Sequence, residues 1–370
     1  MRKTYSLLTT LIFYFFSNDA FCIELPQGLT YSSMSFDGIS IAHILDIDPQ
    51  FFNIIPGQSE NFQLEHVASI AKRHHAIAAV NGGFFTVWGD YGDLPLGILK
   101  IAGDWRATPT KSTAAIGWSN SSNKVLFDEV TTSIEGTIRK HVFTIDGINT
   151  PCERNQVILY NWFYRKSTET KRLGIEFIIQ AEKVLRINSC NSPLKHSEMV
   201  ISVGRKKCNQ FLHCKKGYDF NWKIEVRGQS TSPDEWAQVS HIMGAGPLLI
   251  CNGQSIIDLS TLFSFYPLSL GHLQKARTAV GILSNGHWVF VVVDGQRNLN
   301  IKGNFGITLL EFADLMLQIG CVHAINFDGG GSSIMLINDM IVSTPCGELK
   351  DPDTGHILRK VSDAILVIPK

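Results

Sequence analysis

The sequence carries no excess charge of either sign: 33 lysines and arginines stand against 33 aspartates and glutamates in 370 residues. Without a net field there is no general attraction for nucleic acid or an anionic membrane, so anion recognition must come from a few placed arginines. There is also no apolar run of about 20 residues, the length that crosses a bilayer as a helix. The Gly-Lys-Ser/Thr loop of phosphate-binding NTPases is missing. So are a Gly-x-Gly-x-x-Gly fingerprint opening a helix and a Gly-x-Ser-x-Gly nucleophile elbow. The eight cysteines form no close pairs of the kind that hold zinc; Cys208 and Cys214, with five residues between them, are the nearest neighbours. Neither a fixed-period repeat nor a low-complexity linker breaks the chain. With 44% hydrophobic residues it has the means to bury a full core.

What is present begins at the N-terminus. Arg2 and Lys3 precede an apolar run from Leu7 to Phe16, followed by Ala20-Phe21-Cys22. A basic start, an apolar stretch of about 7–15 residues and a small-residue exit are the layout of a secretory signal peptide. Residues 1–22 are therefore expected to be a removable signal and residues 23–370 a single domain that lacks a membrane span once the signal is gone. The expected destination is secreted or periplasmic, or the secretory or lysosomal route in a eukaryote. An oxidising compartment admits one or two disulfides, with Cys208–Cys214 or a partner from Cys190 as first candidates. Cys251 and Cys321, in apolar surroundings, read equally well as buried free thiols.

Alternating apolar and β-branched residues from Gly38 to Ile55 predict strands broken near Asp48-Pro49 and Pro56-Gly57. Phe62 to Ala76 carries apolar residues at helical spacing, and Ile77 to Val80 is a short buried strand. The middle of the chain, from about Ser112 to Ile250, holds many short strand-like runs separated by glycine, asparagine and serine. Farther on, Thr278–Leu283 and Val289–Val293 read as buried strands. Thr308 caps a predicted helix that runs through Leu317 and stops at Gly320. These elements predict an α+β fold: one compact domain with mixed β-sheets and a few packed helices.

Three times a buried strand runs into a glycine turn flanked by polar groups: Asn81-Gly82-Gly83, Asp294-Gly295 and Asn326-Phe327-Asp328-Gly329-Gly330-Gly331-Ser332-Ser333. An isolated Asn-Gly or Asp-Gly is usually a hairpin turn. Three successive glycines are harder to explain structurally, since each costs about 0.5–1 kcal/mol relative to alanine, and they leave backbone N–H groups free to cradle an anion. Arg277 and Arg359 each lie just before a strand, where a fixed guanidinium can grip a phosphate in two parallel hydrogen bonds or close an ordinary salt bridge. Glu311 falls in the first turn of its helix, where a carboxylate also stabilises the helix dipole.

In these residues the chain resembles the phosphodiester glycosidase family. The matching stretches, in order, are 79–85, 244–248, Arg277-Thr278-Ala279-Val280-Gly281, Val293-Asp294-Gly295, the helix starting at Thr308, 326–335, and Arg359-Lys360-Val361-Ser362-Asp363-Ala364. The chain departs from the family pattern at Lys275-Ala276, where many members have His-Pro, at Asp363, where Asn is usual, and at Asn304-Phe305-Gly306, which lacks a common serine.

The resemblance implies hydrolysis of a sugar-1-phosphodiester at the anomeric carbon, giving free sugar and a phosphomonoester. It assigns phosphate contacts to Arg277 and to the turn from Gly329 to Ser332. Asp328 takes the role at the water or anomeric centre, Asp294 is the second carboxylate, and Asn81 and Asn326 are sugar-hydroxyl partners. Gly82, Gly83, Ser333, Arg359 and Glu311 complete the expected substrate-binding set. No cofactor is required by this reading. One alternative is a phosphodiesterase cutting P–O with calcium or magnesium held by Asp294, Asp328 and Asn81; another is a glycan-binding envelope protein without activity.

Overall fold

The computed structural model describes residues 24–36, 40–60, 63–86, 92–122, 124–171, 174–257, 273–295, 306–346, 349–350 and 357–370. The expected signal, residues 1–22, lies outside them, as do Asn304 and Phe305.

The described chain is built from strands. A seven-stranded sheet runs in the order Leu29–Phe36, Ser40–Ile47, Trp288–Val293, Arg277–Leu283, Cys321–Asn326, Leu248–Cys251, Gln254–Ser255. A five-stranded sheet holds Met340–Ile341, Met335–Ile337, Ala78–Asn81, Asp363–Pro369 and Phe52–Gln58. A second seven-stranded sheet is organised on the long strand Val125–Ile138. Another five-stranded sheet collects Gly147–Ile148, Val157–Asn161, Met199–Gly204, Gly174–Gln180 and Lys183–Asn188.

The sequence dictates how the first sheet is buried. Trp288–Val293 is buried at every position, which requires apolar cover on both faces. Successive residues of a strand point to opposite sides, and the core divides accordingly. On one face Leu45, Val280, Phe290, Val292 and Ile325 meet Val80, Ile365, Trp118 and Met243 from neighbouring sheets. On the other face Val289, Val291, Val293 and Ala324 lie under Phe312, Ala313 and Met316 of the helix Leu309–Ile319. Each large apolar side chain so buried stabilises the fold by about 1.5–3 kcal/mol.

The expectation of an α+β fold is corrected: strands make up 49% and helices 11%, and three α-helices are present among the described residues. Val67–Arg73 and Pro233–Gln238 are 7 and 6 residues long, each covering part of one sheet rather than forming a helical layer. Of the helix predicted from Phe62 to Ala76, the described residues form one at Val67–Arg73, and Phe62 lies outside them. The break predicted at Pro56-Gly57 is also absent, because Phe52–Gln58 continues through it opposite Ala364 and Ile365. Proline is tolerated there because the strand is at the sheet edge.

The seven described cysteines are free thiols, so neither Cys208–Cys214 nor a Cys190 pairing forms. No helix among the described residues is long and apolar enough to cross a membrane.

Candidate active site

Three adjacent strands of the first sheet share an edge. Arg277 opens Arg277–Leu283 opposite Val293, and Ala279 lies opposite Asn326, the last residue of Cys321–Asn326. Antiparallel pairing puts the start of the middle strand beside the ends of its two neighbours. Arg277, Asp294 and Asp328 therefore leave the sheet on the same side.

Asn81 ties this edge to the five-stranded sheet. It is fully buried at the end of Ala78–Asn81. Its Nδ2 donates to the Asp328 carbonyl at 2.7 Å, while its Oδ1 accepts from Thr278 Oγ1 at 2.7 Å and from Ile334 N–H at 3.2 Å. The amide thus holds two turns together, and its polar atoms are committed to protein rather than to the sugar hydroxyl the resemblance assigned them. The same commitment bears on the metal alternative: an Oδ1 that accepts two protein hydrogen bonds, in a residue without solvent access, does not fit a calcium or magnesium ligand. Asp294 Oδ1 is likewise occupied, by Thr344 N–H at 2.8 Å. The trio Asp294, Asp328 and Asn81 is not arranged as a cation site.

The glycine turns are shaped by close approach. A Cβ on Gly82 would stand 1.9 Å from Asp363 Oδ1, and one on Gly83 2.5 Å from the Gly244 carbonyl oxygen. Gly83 N–H donates to Asp363 Oδ1 at 2.7 Å, and Gly82 N–H to the Asp363 carbonyl at 2.9 Å. In the second turn Gly329 has no room for a side chain against the Ala276 carbonyl (2.8 Å), while Gly330 adopts φ +59° in the left-handed region. A Cβ on Gly331 would meet the Arg359 guanidinium at 2.8 Å. Arg359 thus lies flat against this turn, with Nη1 3.4 Å from Ser332 Oγ.

Asp328 is the half-buried carboxylate at the start of that turn. Oδ1 accepts from Gly329 N–H at 2.8 Å and Oδ2 from Ser332 Oγ at 2.6 Å. Burial pushes its carboxyl pKa up to about 6, more than the Ser332 and Gly329 hydrogen bonds and the Arg359 charge pull it down. Nearby Asp363, nearly inaccessible, is also raised by burial, against hydrogen bonds from Ser362 and Gly83. Arg277 is 2% exposed and donates to the carbonyls of Ile307 (3.1 Å) and Leu273 (3.0 Å). Burial lowers its pKa to about 10, which leaves it cationic at neutral pH.

The remaining candidates sort themselves. Asn326 is buried, its Nδ2 donating to the Gly246 and Phe327 carbonyls, both at 2.8 Å, while its Oδ1 and Ser333 Oγ find no hydrogen-bond partner among the described residues. Asp294 belongs to the edge of the group: Thr344 binds its carboxylate, and two residues on, Cys346 Sγ lies 3.3 Å from the Gly330 carbonyl. Glu311, expected in the substrate-binding set, caps its helix in this structure. Its exposed carboxylate accepts from Thr308 N–H (2.9 Å) and Thr308 Oγ1 (2.7 Å), closing a capping box.

The phosphodiester glycosidase family model matches residues 163–368, more than half of the chain. The chain belongs to that family. Among curated relatives, the N-acetylglucosamine-1-phosphodiester alpha-N-acetylglucosaminidase of Bos taurus is 38% identical over 93 residues, covering 25% of this chain and 16% of the relative. The Homo sapiens protein of the same name is 36% identical over 93 residues, 25% of this chain and 17% of its own length. The matched segment is thus a small part of either relative.

Two solved structures share the fold. A hypothetical protein from Synechocystis superposes with a TM-score of 0.74 at 20% identity, covering 92% of this chain and 62% of that one. A Burkholderia pseudomallei protein named as a candidate exported protein gives 0.71 at 18% identity, covering 89% and 74%.

Against the family pattern, the chain places Asp363 where it receives the Asn81-Gly82-Gly83 turn, a role sequence reasoning missed. The only signal was its appearance as a departure from asparagine. Thr278, which orients Asn81, stood unremarked inside the Arg277-Thr278 motif.

Proposed function

We propose that this chain is an exported glycosidase, residues 23–370 forming its catalytic domain, that hydrolyses sugar-1-phosphodiesters at the anomeric carbon. The observation that carries the reading is the pairing of Asp328, its carboxyl raised to about 6, with a three-glycine turn and the Arg359 guanidinium packed on it. A phosphate monoester departs far more readily than an alkoxide, so the reaction needs little acid assistance. Its demands are positive charge and N–H donors on the departing phosphate, and a carboxylate opposite to activate water or stabilise the oxocarbenium-like centre. In this reading Arg277 and Arg359 take the phosphate, while the Gly329 N–H and Ser332 hydroxyl of the turn hold the Asp328 carboxylate. Asp328, mostly ionised at neutral pH, serves the anomeric carbon. Asn81, Thr278 and Asp363 hold the turns in register. The family membership and the partial identity to enzymes named for N-acetylglucosamine-1-phosphodiester cleavage support N-acetylhexosamine phosphodiesters as the first substrates to try.

The test is product analysis of the purified protein on a panel of glycosyl phosphodiesters. Release of free sugar and phosphomonoester, abolished by Asp328→Ala with the melting transition retained, is the expected result. A folded protein that binds panel members and cleaves none would favour the glycan-binding alternative.

A further inference from the structure

Asp294 is backed by a chain of side chains that neither the family motifs nor the reading above uses. His43, on Ser40–Ile47, lies opposite Val292 across the strand pair that leads to Asp294, and the Asp294 N–H is bound to the Ile41 carbonyl at 2.8 Å. The His43 ring is buried. Its Nε2 stands 3.2 Å from Asp294 Oδ2, an ion-pair distance that falls short of hydrogen-bond alignment; such pairs often tighten only when substrate closes the site. Its Nδ1 is 2.8 Å from the Tyr31 hydroxyl, and the two rings stack at an interplanar angle of 11°.

The polarity of the chain follows from the donors. Burial, and secondarily the Asp294 charge, push the Tyr31 phenol above its ordinary pKa, so it keeps its proton. A phenol O–H donating to Nδ1 leaves the imidazole proton on Nε2, facing the carboxylate. With Thr344 N–H on Oδ1, that proton faces the other oxygen of Asp294, Oδ2, at 3.2 Å.

We propose that His43, set in its tautomer by Tyr31, is a positioning residue that orients Asp294 for the glycosidase reaction. The proposal rests on the glycosidase reading for its kinetic consequence but not for its geometry. The side chain needs two nitrogens at fixed separation, one accepting and one donating, to join a phenol to a carboxylate. A merely apolar filler of the same volume keeps the packing and loses the alignment.

Two measurements test it. Imidazole nitrogen NMR of the unliganded protein should show His43 as the Nε2–H tautomer, becoming a mixture in Tyr31→Phe. An Nδ1–H tautomer in the parent protein would overturn the proposal whether or not the protein has activity. In steady-state kinetics on a cleaved phosphodiester, His43→Leu should lower kcat by about 10–100-fold, the scale seen for the outer-shell partners of metal ligands. KM should stay within about twofold, and His43→Gln should recover part of the loss. The decisive comparison is the Asp294→Asn background, where His43→Leu should have no further effect. Losses that multiply independently would refute the coupling. Should the parent protein cleave no phosphodiester, the glycosidase reading falls while the tautomer measurement still decides the relay.

Discussion

Asp328 is held in a compromise that has measurable consequences. Two short hydrogen bonds and a neighbouring guanidinium favour its charge, yet burial dominates and raises the carboxyl from 3.8 to about 6. In the proposed reaction the ionised form serves the anomeric centre, so kcat/KM should rise with pH through about 6 and then level off. Asp328→Asn should lose about 10²–10⁴-fold, the usual worth of a positioned acid–base group. The same shift affects stability in the opposite sense. Between 3.8 and about 6 the unfolded chain gives up this proton while the folded one retains it. Stability is therefore shed as pH rises through that window, by at most about 3 kcal/mol for two pKa units. Urea titrations should find Asp328→Asn better placed relative to the parent at pH 7 than at pH 3.5, by about 1–3 kcal/mol. An equal offset at both pH values would show that the carboxyl is not raised. Gly331→Ala probes the neighbour: its Cβ would displace the Arg359 guanidinium, the movable end of a long side chain. The effect should appear as an increase in KM of about tenfold with little change in melting temperature.

At the scale of elements, the turns and caps separate structure from function. Gly83→Ala sets a Cβ 2.5 Å from a backbone carbonyl of Gly244, which has no side-chain freedom with which to give way. It should cost upwards of about 2 kcal/mol in chemical denaturation, with activity lost alongside folding. Glu311→Ala should behave differently, costing about 1 kcal/mol through the broken capping box while leaving kcat/KM unchanged; a large fall in kcat/KM would return Glu311 to the site. This helix was also the most legible element in the sequence. Thr308 caps it and Gly320 ends it at φ +100°, because both signals act within a few residues of themselves. Pro56 was misread for the opposite reason. Whether a proline interrupts a strand depends on which neighbour the strand has, and among the described residues Phe52–Gln58 has a strand partner on only one side.

For the whole molecule, the balance of helix and strand escaped a local reading. Two of the three described helices are short patches on sheet faces, and helical periodicity does not report where tertiary contacts cut a helix off. The candidate site was legible where it lay in consecutive residues, as from Asn326 to Ser333. It was not legible where it depended on register: Asp363 meets Gly83 only because Asp363–Pro369 pairs with Ala78–Asn81, and His43 meets Asp294 only because Ser40–Ile47 pairs with Trp288–Val293. In the proposed reaction the nucleophilic water attacks carbon, with phosphate as the departing group. Hydrolysis in oxygen-18 water, followed by phosphorus NMR of the phosphomonoester, tests that directly. The account predicts a phosphate free of solvent oxygen, all label having entered at the anomeric carbon; an isotope-shifted phosphate would place the cut at P–O and contradict it.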